Sequence, residues 1–134
     1  MYLLDTNIFL EILLQRENSK AAKHIFIANQ PTDLFITDFS LHSIGVFLFQ
    51  RSRHEIYVRF VNDVIIKTGI GVIGLDPEAF SALEEVSNQF KLDFDDSYQY
   101  AVAQKFDLRI MSFDSDFDRT EKGRMIPELK QDSS

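Results

Sequence analysis

The feature that most limits how this chain can fold is an alternation of short apolar runs with longer stretches of helical spacing. Tyr2-Leu3-Leu4, Leu34-Phe35-Ile36-Thr37, Gly71-Val72-Ile73-Gly74-Leu75 and Leu108-Arg109-Ile110-Met111 are strand-length and mostly apolar, and they read as buried strands. Between them, apolar residues recur with helical period. Ile8, Ile12 and Leu13 share a face; Ala22, Ile25 and Phe26 follow Ser19, a candidate cap; Leu41, Ile44 and Leu48 follow Ser40, another. Residues 55–67 carry Ile56, Phe60, Val61, Val64 and Ile65 on one side. Asp76-Pro77-Glu78 combines an N-cap, an N1 proline and a first-turn acid ahead of Phe80, Leu83, Val86 and Phe90. A last helix begins near Asp95-Asp96 and runs through Ala101, Val102 and Phe106, and Met125-Ile126 is a candidate fifth strand. Strands alternating with helices imply right-handed crossovers, hence an α/β chain with a mainly parallel sheet of four to five strands and helices on both faces. With no repeat, linker or low-complexity run, one domain over residues 1–130 is expected, with a frayed tail at 131–134.

Composition closes off several chemistries. The chain has no cysteine, which excludes a disulfide framework, a thiol nucleophile and cysteine-ligated zinc or iron–sulfur centres. No stretch approaches the roughly 20 apolar residues that span a bilayer. The start, Met1-Tyr2-Leu3-Leu4-Asp5, lacks the basic and small-residue pattern of a signal peptide. A cytoplasmic protein with no membrane association is the expectation. The net charge of −7 opposes a nucleic-acid partner, because phosphates are normally met by Lys and Arg. Bound cations would offset part of it, and basic residues are grouped: Arg51, Arg53, His54 and Arg59 in one place, Arg16, Lys20, Lys23 and His24 in another. Each group reads equally well as a solvated helix face.

In a parallel sheet, ligands bind beyond the carboxyl ends of the strands, so residues just after each strand come first. Asp5 follows the first strand, Asp114 and Asp116 follow the fourth, and Asp96 opens a helix that points back to the same edge. Capping alone accounts for Asp76, and accounts for Asp95 and Asp96 taken singly. The combination is harder to dismiss. Carboxylates held within a few ångströms raise one another's pKa unless a cation intervenes, and Mg²⁺ needs only one or two of them while keeping waters for substrate. The run Asp114-x-Asp116-x-Asp118 is no calcium loop, since Arg119 and Met125 stand where the required Gly and Glu would be. The histidines suggest neither zinc nor acid–base work; His24 and His54 read as exposed. Phe47 and Phe49 beside Leu48 give one helix more than one apolar side, which points to a homodimer or partner contact.

Leu4-Asp5-Thr6-Asn7, Asp95-Asp96-Ser97-Tyr98-Gln99-Tyr100-Ala101-Val102-Ala103 and Ser112-Phe113-Asp114-Ser115-Asp116-Phe117, in this order and over nearly the whole chain, resemble the PIN-domain family, and the size resembles VapC-type toxins. The resemblance implies a three-layer α/β/α sandwich and an endoribonuclease that depends on Mg²⁺ or Mn²⁺. It also implies an RNA substrate, a cognate antitoxin and a likeness to homodimers. Carried over residue by residue, the metal-binding and catalytic acids would be Asp5, Asp96, Asp114 and Asp116. Thr6, Asn7, Ser43 and Ser112 would hydrogen-bond water or phosphate around them. One departure stands out: Ser43 occupies the place of a usual acid, with Asp38 a candidate substitute and His42 a poor Mg²⁺ ligand.

Two rivals follow from the same residues. An impaired PIN-like domain that only binds RNA or protein is favoured by Ser43. A receiver-like phosphorylation switch would use Asp76 as acceptor and Ser112 as switch hydroxyl, but it wants an acid pair after strand one and a Lys after strand five, where this chain has Ile126-Pro127. A haloacid-dehalogenase phosphatase would need a second Asp where Asn7 stands.

Overall fold

The computed structural model describes residues 1–128, so the tail expected at 131–134 and the last two residues of the expected domain lie outside the described part. Four strands, β1 (Tyr2–Leu4), β2 (Leu34–Thr37), β3 (Gly71–Ile73) and β4 (Arg109–Met111), form a sheet in the order β3-β2-β1-β4. Every pairing is parallel, with Leu3 opposite both Phe35 and Ile110. The candidate fifth strand is reduced to a single parallel bridge between Met111 and Met125, two residues before Pro127, which has no N–H to extend a ladder.

Successive side chains of a strand point to opposite faces, and both faces here are apolar. Leu4, Leu34, Ile36 and Met111 enter one core with α1 (Thr6–Leu13), α2 (Ser19–Ala28), α3 (Asp38–Gln50) and α4 (His54–Phe60). Leu3 and Ile110, with Phe35 partly buried beside them, enter the other with α5 (Ser81–Phe90) and α6 (Phe94–Phe106). The result is a three-layer α/β/α arrangement. No helix among the described residues is long and apolar enough to cross a membrane.

Helix starts differ from the sequence expectation in an instructive way. Ser40 does not cap α3; Thr37, the last residue of β2, does, its Oγ1 accepting from Ser40 N at 2.9 Å. Because Thr37 is buried, its hydroxyl must find partners at once, and it also donates to Ser40 Oγ at 3.0 Å. Asp93 rather than Asp95 or Asp96 caps α6, accepting from Asp96 N at 2.9 Å. That frees the Asp95 and Asp96 carboxylates for other work. Asp76 precedes only a short 3₁₀ turn, Pro77–Ala79, and makes no side-chain cap; the helix proper begins at Ser81. The stretch expected as one helix over 55–67 is α4 followed by a π-helical turn, Val61–Ile66. His54 is exposed as expected, but His24 is half-buried.

Helix α6 is unusual in being buried along most of its length, from Asp96 to Ala103. It contacts α5, α3 and β4. A helix enclosed in this way brings its polar residues into the interior, where each needs a partner. Ser97 Oγ donates to the Leu92 carbonyl at 3.4 Å, and Gln99 turns toward the acidic end of the sheet.

Candidate metal centre

Asp5 sits at the carboxyl end of β1, its N–H bound to the Met111 carbonyl of β4 at 3.0 Å. The neighbouring strand therefore delivers Ser112 and Asp114 beside it, and the first turn of α6 delivers Asp96. Asp5, Asp96 and Asp114 each present one carboxylate oxygen, and these atoms lie within 4.8 Å of one another. Residues separated by about ninety and by eighteen positions meet only because the parallel sheet places all strand ends on one edge.

The cluster is held by donors from the chain itself. Ser112 Oγ donates to Asp5 Oδ2 at 2.6 Å and accepts from Asp114 N at 2.8 Å, so one hydroxyl fixes two acids. Asn7 Nδ2 donates to the same Ser112 Oγ at 3.3 Å, while Asn7 Oδ1 accepts from Phe113 N at 3.4 Å. Thr6 Oγ1 donates to Ser40 Oγ at 2.8 Å, tying the start of α1 to the start of α3. Ser43 lies half-buried three residues further along α3, outside the network that Ser40 joins. Asp116 contributes through its backbone: its N–H donates to Asp114 Oδ1 at 2.9 Å, whereas its carboxylate pairs with Arg119 at 3.4 Å. Of the four acids singled out in the sequence, three converge and the fourth braces one of them. Asp38 does not join either; its Oδ1 accepts from the Tyr98 hydroxyl at 2.8 Å and from Phe39 N.

Gln99 and Asp95 are the participants the sequence reading missed. Gln99 is fully buried, and its Nε2 donates both to Asp5 Oδ1 at 2.7 Å and to Asp95 Oδ1 at 2.9 Å. Its Oε1 is buried without a hydrogen-bond partner among the described residues. The available signal was the four-residue spacing from Asp95, which puts both on one helix face.

Electrostatics set the character of this group. Burial pushes the Asp5 carboxyl above its ordinary value, against the hydrogen bonds from Ser112 and Gln99, and the Asp114 charge adds to the rise. Asp96 is pushed up to about 8, first by burial and then by Asp93 and Asp5. Asp95 is pushed up to about 6, by burial and by the charge of Asp5. The residues fit a hard divalent cation: the donor set is all carboxylate oxygen, and three anions side by side, two of them buried, are unfavourable without a positive charge among them.

An acid whose pKa is raised on folding holds its proton more tightly in the native state than in the unfolded chain. Between the ordinary 3.8 and about 8 for Asp96, the native state therefore carries the extra protons, and raising the pH through that window lowers stability. In chelator, the protein should melt at higher temperature at pH 5 than at pH 8. Mg²⁺ or Mn²⁺ added at pH 8 should recover the difference. Scanning calorimetry at both pH values checks this, and a melting temperature that climbs from pH 5 to pH 8 in chelator would contradict it.

Comparison with known proteins bears on the whole architecture. The family model described as PIN domain matches residues 2–123. The fold is similar to a chain of a toxin–antitoxin complex from Klebsiella pneumoniae, with TM-score 0.74 and 19% identity over 96% of this chain and 98% of that one. It is similar to VapC20 of Mycobacterium tuberculosis, described as a sarcin–ricin loop cleaving toxin, with TM-score 0.73 and 16% identity over 88% and 93%. It is also similar to a chain of VapBC2 from Rickettsia felis bound to a promoter DNA fragment, with TM-score 0.74 and 11% identity over 93% and 96%. At these identities the likeness is one of fold. No curated protein matches.

Proposed function

The chain belongs to the PIN-domain family, and from that premise we propose that it is an endoribonuclease that works with a bound Mg²⁺ or Mn²⁺ and serves as the toxin of a toxin–antitoxin pair. The observation that carries this reading is the meeting of Asp5, Asp96 and Asp114 oxygens within 4.8 Å at the carboxyl edge of the sheet. These three would hold the cation. Bound there, it would supply Lewis acidity toward a scissile phosphodiester.

The remaining work falls to the chain. Ser112 keeps Asp5 and Asp114 in fixed relation, and the Asp116 N–H orients the Asp114 carboxylate. Thr6 and Asn7 lock the start of α1 to α3 and to the loop after β4, so the carboxylates keep one geometry rather than sampling many. The net charge of −7 makes RNA approach unfavourable until cations are bound, so binding of RNA is expected to be cation-dependent as well as cleavage.

The toxin role is supported by the names of the similar structures: one is a toxin–antitoxin complex and another a toxin that cleaves the sarcin–ricin loop. An antitoxin partner, a homodimer and a cytoplasmic location belong to the same reading. The second reading, a PIN domain that binds without cutting, is favoured by Ser43 and by the pairing of Asp116 with Arg119, which leave three converging carboxylates. Incubation of the purified protein with structured RNA separates the two. Cleavage that stops in EDTA and returns with Mg²⁺ or Mn²⁺ is the expected result; RNA binding with no cut product in either cation would favour the second reading.

A further inference from the structure

The geometry points to Gln99 as a positioning residue of the carboxylate cluster, its amide NH₂ holding Asp5 and Asp95 as a pair and its Oε1 kept for a donor that enters with a divalent cation. The inference rests on reading the cluster as a cation site, and extends it to two residues, Asp95 and Gln99, outside the converging three.

The first support is the arrangement of donors. A primary amide has two N–H bonds, and here they serve two carboxylates, at 2.7 Å and 2.9 Å. Two aspartates on neighbouring elements repel, and a neutral amide between them relieves that repulsion without adding charge. The grip on Asp5 is complete on both sides: Gln99 holds Oδ1 and Ser112 holds Oδ2. Each oxygen keeps a second lone pair, and the carboxylate plane is no longer free to turn. A carboxylate fixed by its neighbours binds a cation without first losing rotational freedom.

The second support is the acceptor end of the same side chain. Gln99 is fully buried, yet its Oε1 has no partner among the described residues. A buried acceptor without a donor is unfavourable and uncommon, and a water or ion that brings a donor relieves it. Oε1 is bonded to the same carbon as Nε2, which binds Asp5 and Asp95, so it lies at the edge of the cluster. None of the carboxylates around it can donate when ionised. Water carried in by a cation can.

Position on α6 explains how the sequence achieves this. Asp95 and Gln99 are four residues apart and face the same way, while Asp93 caps the helix and keeps Asp95 free of that duty. The helix is buried from Asp96 to Ala103, so Gln99 is enclosed by packing and its rotamer is restricted.

The test uses the full chain and Mn²⁺ alone, with free Mn²⁺ followed by electron paramagnetic resonance, so no cleavage assay enters. Gln99→Met keeps the volume and removes both donors and the acceptor. Its Mn²⁺ affinity is expected to fall by about tenfold or more, the scale for losing a residue that orients a ligand. Asp95→Asn should weaken binding as well, and the double variant should be weaker by less than the product of the two, because each change breaks the same pair. Wild-type affinity in folded Gln99→Met, or an additive cycle, would overturn the inference. Should Gln99→Met not fold, the comparison of Asp95→Asn with Asp93→Asn decides, since both remove one charge from the same helix end and Asn still caps. A larger loss for Asp95→Asn is expected, and equal losses would overturn the pairing. If the wild-type chain itself takes up no Mn²⁺, it is the reading of the cluster as a cation site that fails.

Discussion

Replacing Asp5 with Asn is expected to lower RNA cleavage by about 10²- to 10³-fold or more, the scale on which a single preorganised charge at a reacting centre matters, while the protein folds as well as before or better. The change is isosteric and removes a buried anion. Asp5 is fully enclosed between β1, β4 and α6, and its carboxyl is already pushed up by burial and by Asp114. The native state therefore spends stability to keep that charge, and Asn relieves the cost. In chelator at pH 8 the variant should melt above the wild type, and in Mn²⁺ the order should reverse, because only the wild type gains from the cation. Initial cleavage rates, paired with calorimetry in EDTA and in Mn²⁺, check both halves. Wild-type cleavage by Asp5→Asn would remove the basis of the proposed chemistry.

Phe117→Ala is expected to cost about 3–5 kcal/mol, the usual range for emptying a buried phenylalanine site. Phe117 is fully buried on the 3₁₀ turn Ser115–Arg119 and belongs to the core with Tyr100, Leu92 and Ile110. Measured against the roughly 5–15 kcal/mol that holds a typical domain together, the loss leaves the chain near its unfolding threshold. The same turn carries Asp116, whose N–H orients Asp114. Cation affinity should therefore fall with stability, although Phe117 is not part of the acid cluster. Phe117→Leu should lose much less of both. Urea denaturation followed by Mn²⁺ titration makes the comparison, and an Ala variant as stable as the wild type would show that the turn is held by something else.

Strand positions were legible because parallel strands covered by helices print themselves as short apolar runs, and all four fall within a residue or two of where the sequence places them. However, β3, expected to be buried, is an edge strand that leaves Val72 exposed. The convergence of Asp5, Asp96 and Asp114 was legible for the same reason: once the strands are parallel, their ends share an edge. Caps were harder. Thr37 and Asp93 win over Ser40, Asp95 and Asp96 because the first turn begins two or three residues earlier than the apolar period suggests, and burial of Thr37 and Ser40 joins them in one network. Asp116 could not be separated from Asp114 by spacing alone. In the fold Asp114 faces the cluster while Asp116 pairs with Arg119, three residues on. Gln99 stayed hidden because an amide inside an apolar helix looks like an ordinary helix former until its two acceptors are seen in place.

Helix α6, enclosed from Asp96 to Ala103, has a consequence for how this protein can be altered. One segment supplies both an interior wall and part of the acid pocket, so few of its side chains answer to a single requirement. Libraries of variants should find almost no tolerated diversity there. Productive changes should gather instead on exposed positions of α3 and α4, such as Val46 and Val58.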